Sequence, residues 1–180
     1  MRVLDIRRHT MRRKPGAHLS REGIALARLV GEDAQPYDLV VTSTIPRAVE
    51  TAIAMGFEVD RCVEELGLLP DAVHAEVGWP RPFTHIADAV AAGGPAARFA
   101  EEQARLWQDI AGQVPEGGRA LIVSHGLFVE LGAVATLPDA DHAAWGEAIG
   151  YCEGIRVDYD GDRRGGALLR LPEGRRLIEN

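Results

Sequence analysis

The chain has 180 residues, 46% of them hydrophobic and 26% charged, which suits a globular protein long enough for one domain with a full core. Its net charge of −7 speaks against a general nucleic-acid binder, which would need a basic face. The cysteines, Cys62 and Cys152, form no Cys-x-x-Cys pair, so the expectation is a reducing, cytoplasmic setting with neither a disulfide framework nor a zinc knuckle.

Residues 3–8 read as a strand, and the charges that follow leave no room for a signal-peptide core. A basic loop comes next, carrying Arg12, Arg13 and Lys14 and punctuated by Pro15 and Gly16. Ser20 suits the N-cap of a helix over residues 21–31, with Leu26, Leu29 and Val30 on its apolar face. Residues 37–42 are nearly all apolar, as in a strand buried on both faces. Ser43 or Thr44 is expected to cap the next helix, which takes Pro46 in its first turn and ends near Gly56. Residues 57–63 make a weaker third strand.

Residues 67–82 are proline-punctuated and lack a clear period, so they read as an irregular excursion of the kind that shapes pockets. Helices follow over residues 84–92 and 95–114, the second with Phe99, Leu106, Ile110 and Val114 at helical spacing. Gly117 and Gly118 turn the chain into a strand at 119–124, and an apolar helix follows Gly126. Ser124, His125 and Glu130 interrupt the apolar run 120–137 and would be costly in lipid, so it reads as a buried strand and helix, not a membrane span. A short helix over 139–148 and a hairpin pairing 155–159 with 167–171 complete the chain. This alternation predicts an α/β fold: a three-layer sandwich with a mostly parallel central sheet and helices on both faces, in a single domain over residues 1–180.

Ligands of open α/β sheets bind beyond the carboxyl ends of the strands. Arg8 and His9 stand at one such end, Ser124 and His125 at another, and Arg47 follows a third in the first turn of a helix. A cation in that turn opposes the helix dipole and makes sense where an anion also sits. A lone strand-closing histidine is more often a structural residue, but coincidence at three strand ends points to phosphoryl chemistry. Other patterns fail. The run Asp158-Tyr159-Asp160-Gly161-Asp162 starts like a calcium loop but puts Leu169 where a bidentate glutamate is needed. Ser124 lacks a nucleophile elbow, since Ile122 stands at the first glycine position.

The set Arg8-His9, then Thr42-Ser43-Thr44-Ile45-Pro46-Arg47-Ala48-Val49-Glu50-Thr51-Ala52, then Ser124-His125-Gly126 resembles, in order and spacing, the motifs of the histidine phosphatase (phosphoglycerate-mutase-like) superfamily. Leu19-Ser20-Arg21-Glu22-Gly23 is similar to that family's Leu-Thr-x-x-Gly helix start. The resemblance implies His9 as the nucleophile that takes the phosphoryl group, Arg8 and Arg47 as clamps on its oxygens, and His125 as a further donor. Thr10 and Gly126 complete the implied phosphate-binding set. It also implies a glutamate after the third strand as general acid, a place Glu65 fits better than Glu64. His74, His85 and Asp88 are the other candidates for that proton. The family's glycine after the nucleophile is replaced by Thr10, whose hydroxyl could itself meet a phosphate oxygen.

The implied activity is hydrolysis of phosphomonoesters through a phosphohistidine, without metal or cofactor. The expected partner is a small phosphorylated substrate or a phosphoprotein, with no nucleic-acid or membrane partner. A phosphoglycerate-type mutase and a non-catalytic phospho-ligand binder on the same fold are the alternatives. Specificity is expected to lie in residues 67–82 and the helices after them.

Overall fold

The computed structural model describes residues 1–179. Six strands form one sheet in the order β3-β2-β4-β1-β5-β6. Strands β1 (Arg2–Arg8), β2 (Leu39–Thr42), β3 (Arg61–Cys62) and β4 (Arg119–Ser124) are parallel. Strand β5 (Gly154–Asp160) runs antiparallel to β1, and β6 (Arg163–Leu169) antiparallel to β5. The sheet is therefore mixed, with its parallel part in the four strands that carry the site.

Strand alternation sorts the side chains into two layers. Leu4, Ile6, Val41, Ala120 and Ile122 face a large core built with α4 (Phe83–Ala91), α5 (Pro95–Gly112) and α6 (Phe128–Thr136). Val40, Leu121 and Val123 face the opposite way, onto Ala48 and Ala52 of α2 (Pro46–Ala54). Helix α1 (Arg21–Glu32) packs beside α2 through Ala27, Val30 and Met55, and Ser20 caps it by accepting from the Gly23 N–H at 3.0 Å. Among the described residues no helix is long and apolar enough to cross a membrane.

Several elements depart from the sequence expectation, each for a local reason. β3 shrinks to Arg61–Cys62 because the Asp60 carboxylate takes the Val40 N–H at 2.7 Å, replacing ladder bonds further upstream. The excursion holds a real helix, α3 (Asp71–Val77), which buries only Val73 and Val77; one apolar pair at i,i+4 is too faint a period to read. No side chain caps α2: its N-cap position is Ile45, and the Ser43 hydroxyl is engaged with His125. The late helix is only α7 (His142–Trp145), and β6 starts four residues earlier than expected.

The covered face of β1 also holds a charge. Asp5 is fully buried, accepts two hydrogen bonds from Arg156 at 2.7 and 2.8 Å and one from Tyr37 at 2.7 Å, and has Arg119 at 3.4 Å. Burial pushes its pKa up, but the bonds from Arg156 and Tyr37 outweigh that and hold it below the usual carboxylate range. Removing one partner of such a group strands the others. Asp5→Ala is expected to lower stability by about 3 kcal/mol or more at neutral pH, measured by urea denaturation. The wild-type advantage should begin to fade as pH falls to the ordinary carboxylate range, where the unfolded chain takes up the proton, and be lost below it, where folded Asp5 does.

Candidate active site

The ends of β1 and β4 lie side by side, because the His9 N–H donates to the Ser124 carbonyl at 2.9 Å. This brings together two motifs more than a hundred positions apart. The imidazoles of His9 and His125 face each other with ring centroids 5.1 Å apart and are only 7% and 6% exposed. Arg47, from the first turn of α2, donates from Nε to His9 Nε2 at 3.1 Å. The register between that turn and β1 is set by Thr51. Its hydroxyl donates to the Arg47 carbonyl at 2.6 Å and accepts the Thr10 N–H at 3.0 Å.

Those partners define the His9 tautomer. Nδ1 stands 2.6 Å from the Thr10 carbonyl, which can only accept, so Nδ1 carries the proton. Nε2 accepts from Arg47 and so presents a lone pair. Burial, then the charge of His125 and the Arg8 and Arg47 guanidiniums, keep the His9 pKa well below its ordinary value of 6.5. Burial and the same two arginines push His125 down to about 3. Both rings are neutral at pH 7.

Arg8 is 4% exposed, and burial lowers its pKa, yet a guanidinium stays charged. Its Cζ lies 3.9 Å from the Tyr151 ring centroid and 4.5 Å from that of Trp79, a cation held between two aromatic faces. Nη1 donates to the carbonyls of Ile149 at 3.1 Å and Ile178 at 2.6 Å. His125 Nε2 is 2.8 Å from the Ser43 hydroxyl, which also accepts the Ile45 N–H at 3.3 Å. Two buried polar atoms of this cup, Arg8 Nε and His125 Nδ1, have no partner among the described residues. Buried polar groups are nearly always paired, so a cup with unmet positions beside two guanidiniums is built for an acceptor-rich anion.

The other expected residues fall elsewhere. The Thr10 hydroxyl donates to the Gly23 carbonyl at 3.0 Å, so it serves the junction with α1 and is not directed at a phosphate oxygen. The Thr10 carbonyl instead fixes the His9 ring. Gly126 makes room for an aromatic ring: a Cβ there would sit 2.5 Å from Trp79 Cζ2. Glu65 is exposed and lines a cavity against α5, with its carbonyl bonded by Gln103 at 3.0 Å; it is not in hydrogen-bond contact with either imidazole. His85 bonds the Val77 carbonyl at 3.1 Å, and His74 and Asp88 are exposed on α3 and α4. Among the described residues no group of three or more His, Cys, Asp or Glu could hold a metal.

Sequence reading missed Ser43 as a partner of His125, and Trp79, Tyr151 and Glu130 altogether as parts of the site. Glu130 is fully buried and accepts from Trp79 Nε1 at 2.9 Å, the Leu127 N–H at 2.7 Å and the Ile149 N–H at 3.0 Å. It therefore pins three segments that touch Arg8 or follow His125. Its signal was available: a single acid inside an apolar helix needs a purpose. Nothing in the sequence marked Trp79 or Tyr151.

Paired imidazoles and guanidiniums thus meet at the carboxyl ends of parallel strands in a three-layer α/β sandwich, where open sheets bind their ligands. A family model for the histidine phosphatase superfamily (branch 1) matches residues 5–171, and the chain belongs to that superfamily. No curated protein sequence matches it. Its fold is similar to phosphoserine phosphatase from Entamoeba histolytica in complex with 3-phosphoglyceric acid, at TM-score 0.69 and 15% identity over 95% of this chain and 98% of that one. Phosphoglycerate mutase from Bacillus anthracis is similar at TM-score 0.61 and 15% identity, over 92% and 91% of the two chains. The protein histidine phosphatase SixA complexed with tungstate is similar at TM-score 0.55 and 18% identity, over 92% and 93%.

The depressed histidine pKa values give a stability signature. Below pH 6.5 the unfolded chain protonates His125, while the folded chain resists down to about pH 3. Folding stability should therefore fall across that window by about 1.4 kcal/mol per pH unit for each such histidine. Denaturation of His125→Asn should give a shallower pH slope than the wild type over the same range.

Proposed function

We propose that the protein is a phosphatase that hydrolyses phosphomonoesters through a phosphohistidine on His9. The observation that carries this reading is the state of His9: a neutral ring with Nδ1–H tied to the Thr10 carbonyl and an Nε2 lone pair facing a guanidinium. A nucleophilic imidazole needs one nitrogen free of its proton and the other fixed.

In the first step the Nε2 lone pair forms a bond to phosphorus, the ester P–O bond breaks in line, and the leaving oxygen takes up a proton. In the second, water attacks the phosphorus, the P–N bond breaks, and inorganic phosphate leaves with His9 neutral again. Arg47 shifts from His9 Nε2 to the incoming oxygens, where its charge and Arg8 offset the load on the equatorial positions. His125 Nδ1, otherwise unpartnered, donates to the same group while Ser43 holds Nε2. Removing the phosphoryl group requires little else from the protein beyond position and charge. The proton on the leaving oxygen comes from outside this quartet. Glu65, the candidate the sequence offers for it, is exposed, lines the cavity against α5 and is hydrogen-bonded to none of the four.

The substrate is a small phosphorylated molecule or a phosphoprotein that meets the cup with a phosphate dianion. His9→Ala is expected to lower turnover of a generic aryl phosphate by about a thousandfold or more while the chain stays folded by circular dichroism. Unchanged turnover in that variant overturns the proposal. Enzyme quenched in alkaline denaturant should carry a base-stable, acid-labile phosphoryl group that is absent from the variant. The acid limb of kcat/KM should lie below pH 6.5, since His9 stays neutral there in the free enzyme. Interconversion of 3-phosphoglycerate at a rate exceeding hydrolysis would favour a mutase, and phosphate binding without turnover of any ester a binding module.

A further inference from the structure

Arg47 stands apart from the arginines around it. Arg156 pairs with Asp5, Arg170 and Arg176 pair with Glu153, and Arg8 bonds two carbonyls. The half-buried Arg47 guanidinium makes one hydrogen bond among the described residues, from Nε to His9 Nε2 at 3.1 Å, and no ion pair. Burial presses against its charge and the neighbouring Arg12 adds to that, while Tyr151 works the other way; no carboxylate figures among the charges acting on it. A guanidinium whose one partner is a neutral imidazole is poorly compensated beside one that holds an anion.

The other end of that bond is the nitrogen that the reaction uses. The His9 ring is 7% exposed, has the rings of His125 and Tyr151 at 5.1 and 5.9 Å between centroids, and commits its Nδ1 to the Thr10 carbonyl. Its Nε2 lone pair is covered by Arg47. The backbone under Arg47 is fixed, since Thr51 donates to the Arg47 carbonyl at 2.6 Å and accepts the Thr10 N–H at 3.0 Å. Uncovering Nε2 is therefore a rotation of one side chain. A ligand drives that rotation only by binding the uncovered state better. A phosphate dianion does so, because it gives the guanidinium two charge-assisted bonds in place of one to a neutral nitrogen. An uncharged electrophile offers nothing in return for the lost bond.

We propose that Arg47 is a charge gate on His9: it covers the Nε2 lone pair until a ligand bearing a phosphate-like dianion draws the guanidinium away, and so keeps uncharged electrophiles off the imidazole. Arg47 thus selects ligands by charge before any bond forms, in addition to clamping the phosphoryl group afterwards. A hydrogen bond with one charged partner is worth about ten- to a hundredfold in an equilibrium, which sets the scale of the protection. The gate rests on the reading of His9 as nucleophile and deepens it.

Diethyl pyrocarbonate, a neutral acylating agent, reports the gate without phosphoester turnover. Imidazole Nε2 attacks one carbonyl carbon, ethyl carbonate leaves, and the Nδ1 proton passes to solvent. Removing Arg47 takes away one of the charges that lower the His9 pKa, so labelling is run at about pH 8, where the ring is neutral in both proteins. Acylation of His9, followed by mass spectrometry and normalised to the exposed His74, should be roughly tenfold or more faster in Arg47→Met than in the wild type. Equal or slower acylation overturns the proposal. A second arm needs no variant. In isotope-labelled wild type at the same pH, inorganic phosphate should move the nitrogen resonance of His9 Nε2 saturably, while uncharged trimethyl phosphate at equal concentration leaves it in place. A shift with trimethyl phosphate, or none with inorganic phosphate, overturns the gate even if the variant fails to fold. Neither arm measures turnover, so failure of the gate is distinct from failure of the phosphatase reading, which the His9→Ala assay decides.

Discussion

The arrangement rests on the burial of the Arg8 guanidinium at the end of the central strand. A charge taken out of water must be compensated where it lies. Here the compensation is spread over two carbonyls, two aromatic faces and the field of Glu130, with Tyr151 and Glu179 adding to it. These groups come from four stretches of chain, so meeting the needs of one side chain gathers Trp79 after α3, Glu130 of α6, the loop between α7 and β5 with Ile149 and Tyr151, and the C-terminal Ile178 and Glu179 around a single point. Burial first, and then the same charge together with Arg47, keeps two neighbouring imidazoles unprotonated. The electrostatic demand that organises the strand end also sets the charge state of the imidazole beside it.

Buried carboxylates supply the counterweight. Glu153 is fully buried and accepts from Arg170 at 2.8 Å, Arg176 at 2.7 Å and the N–H groups of Gly150 and Leu171 at 2.8 and 3.0 Å. It fixes the segment whose Ile178 carbonyl reaches Arg8. Glu130 does the equivalent for the loop after His125. That loop is strained: Leu127 has φ 71°, a conformation costing an L-residue about 1–2 kcal/mol. The bond from its N–H to Glu130 and the burial of its side chain at 1% exposure hold it there. Strain next to a histidine, offset by a dedicated carboxylate, is what a site that must hold one geometry looks like.

The substitution of threonine for the family's glycine after His9 is absorbed locally. Thr10 is fully buried, and its hydroxyl, amide and carbonyl are each matched, by Gly23, Thr51 and the His9 ring. The residue therefore ties α1, α2 and β1 together beside His9. Glycine would supply the same backbone bonds without the tie to α1.

The amino-acid order by itself determined the layered α/β architecture and the four cup residues. Period-2 strands, helix periodicity and the residues at strand ends are local properties, and local steric and burial preferences express them whatever packs later. Residues 3–8 and 119–124 were legible as strands for that reason, and Arg8, His9, Arg47 and His125 by their place at the ends of strands or just beyond. What the tertiary structure alone decided is which polar atom meets which. The bond from Gln103 to the Glu65 carbonyl, the direction of the Thr10 hydroxyl, the pairing of Ser43 with His125, and the Trp79–Arg8–Tyr151 stack all depend on chain segments more than ten residues apart. Hydrogen bonds and ring contacts reach only a few ångströms, so no spacing along the chain encodes them until the core has closed.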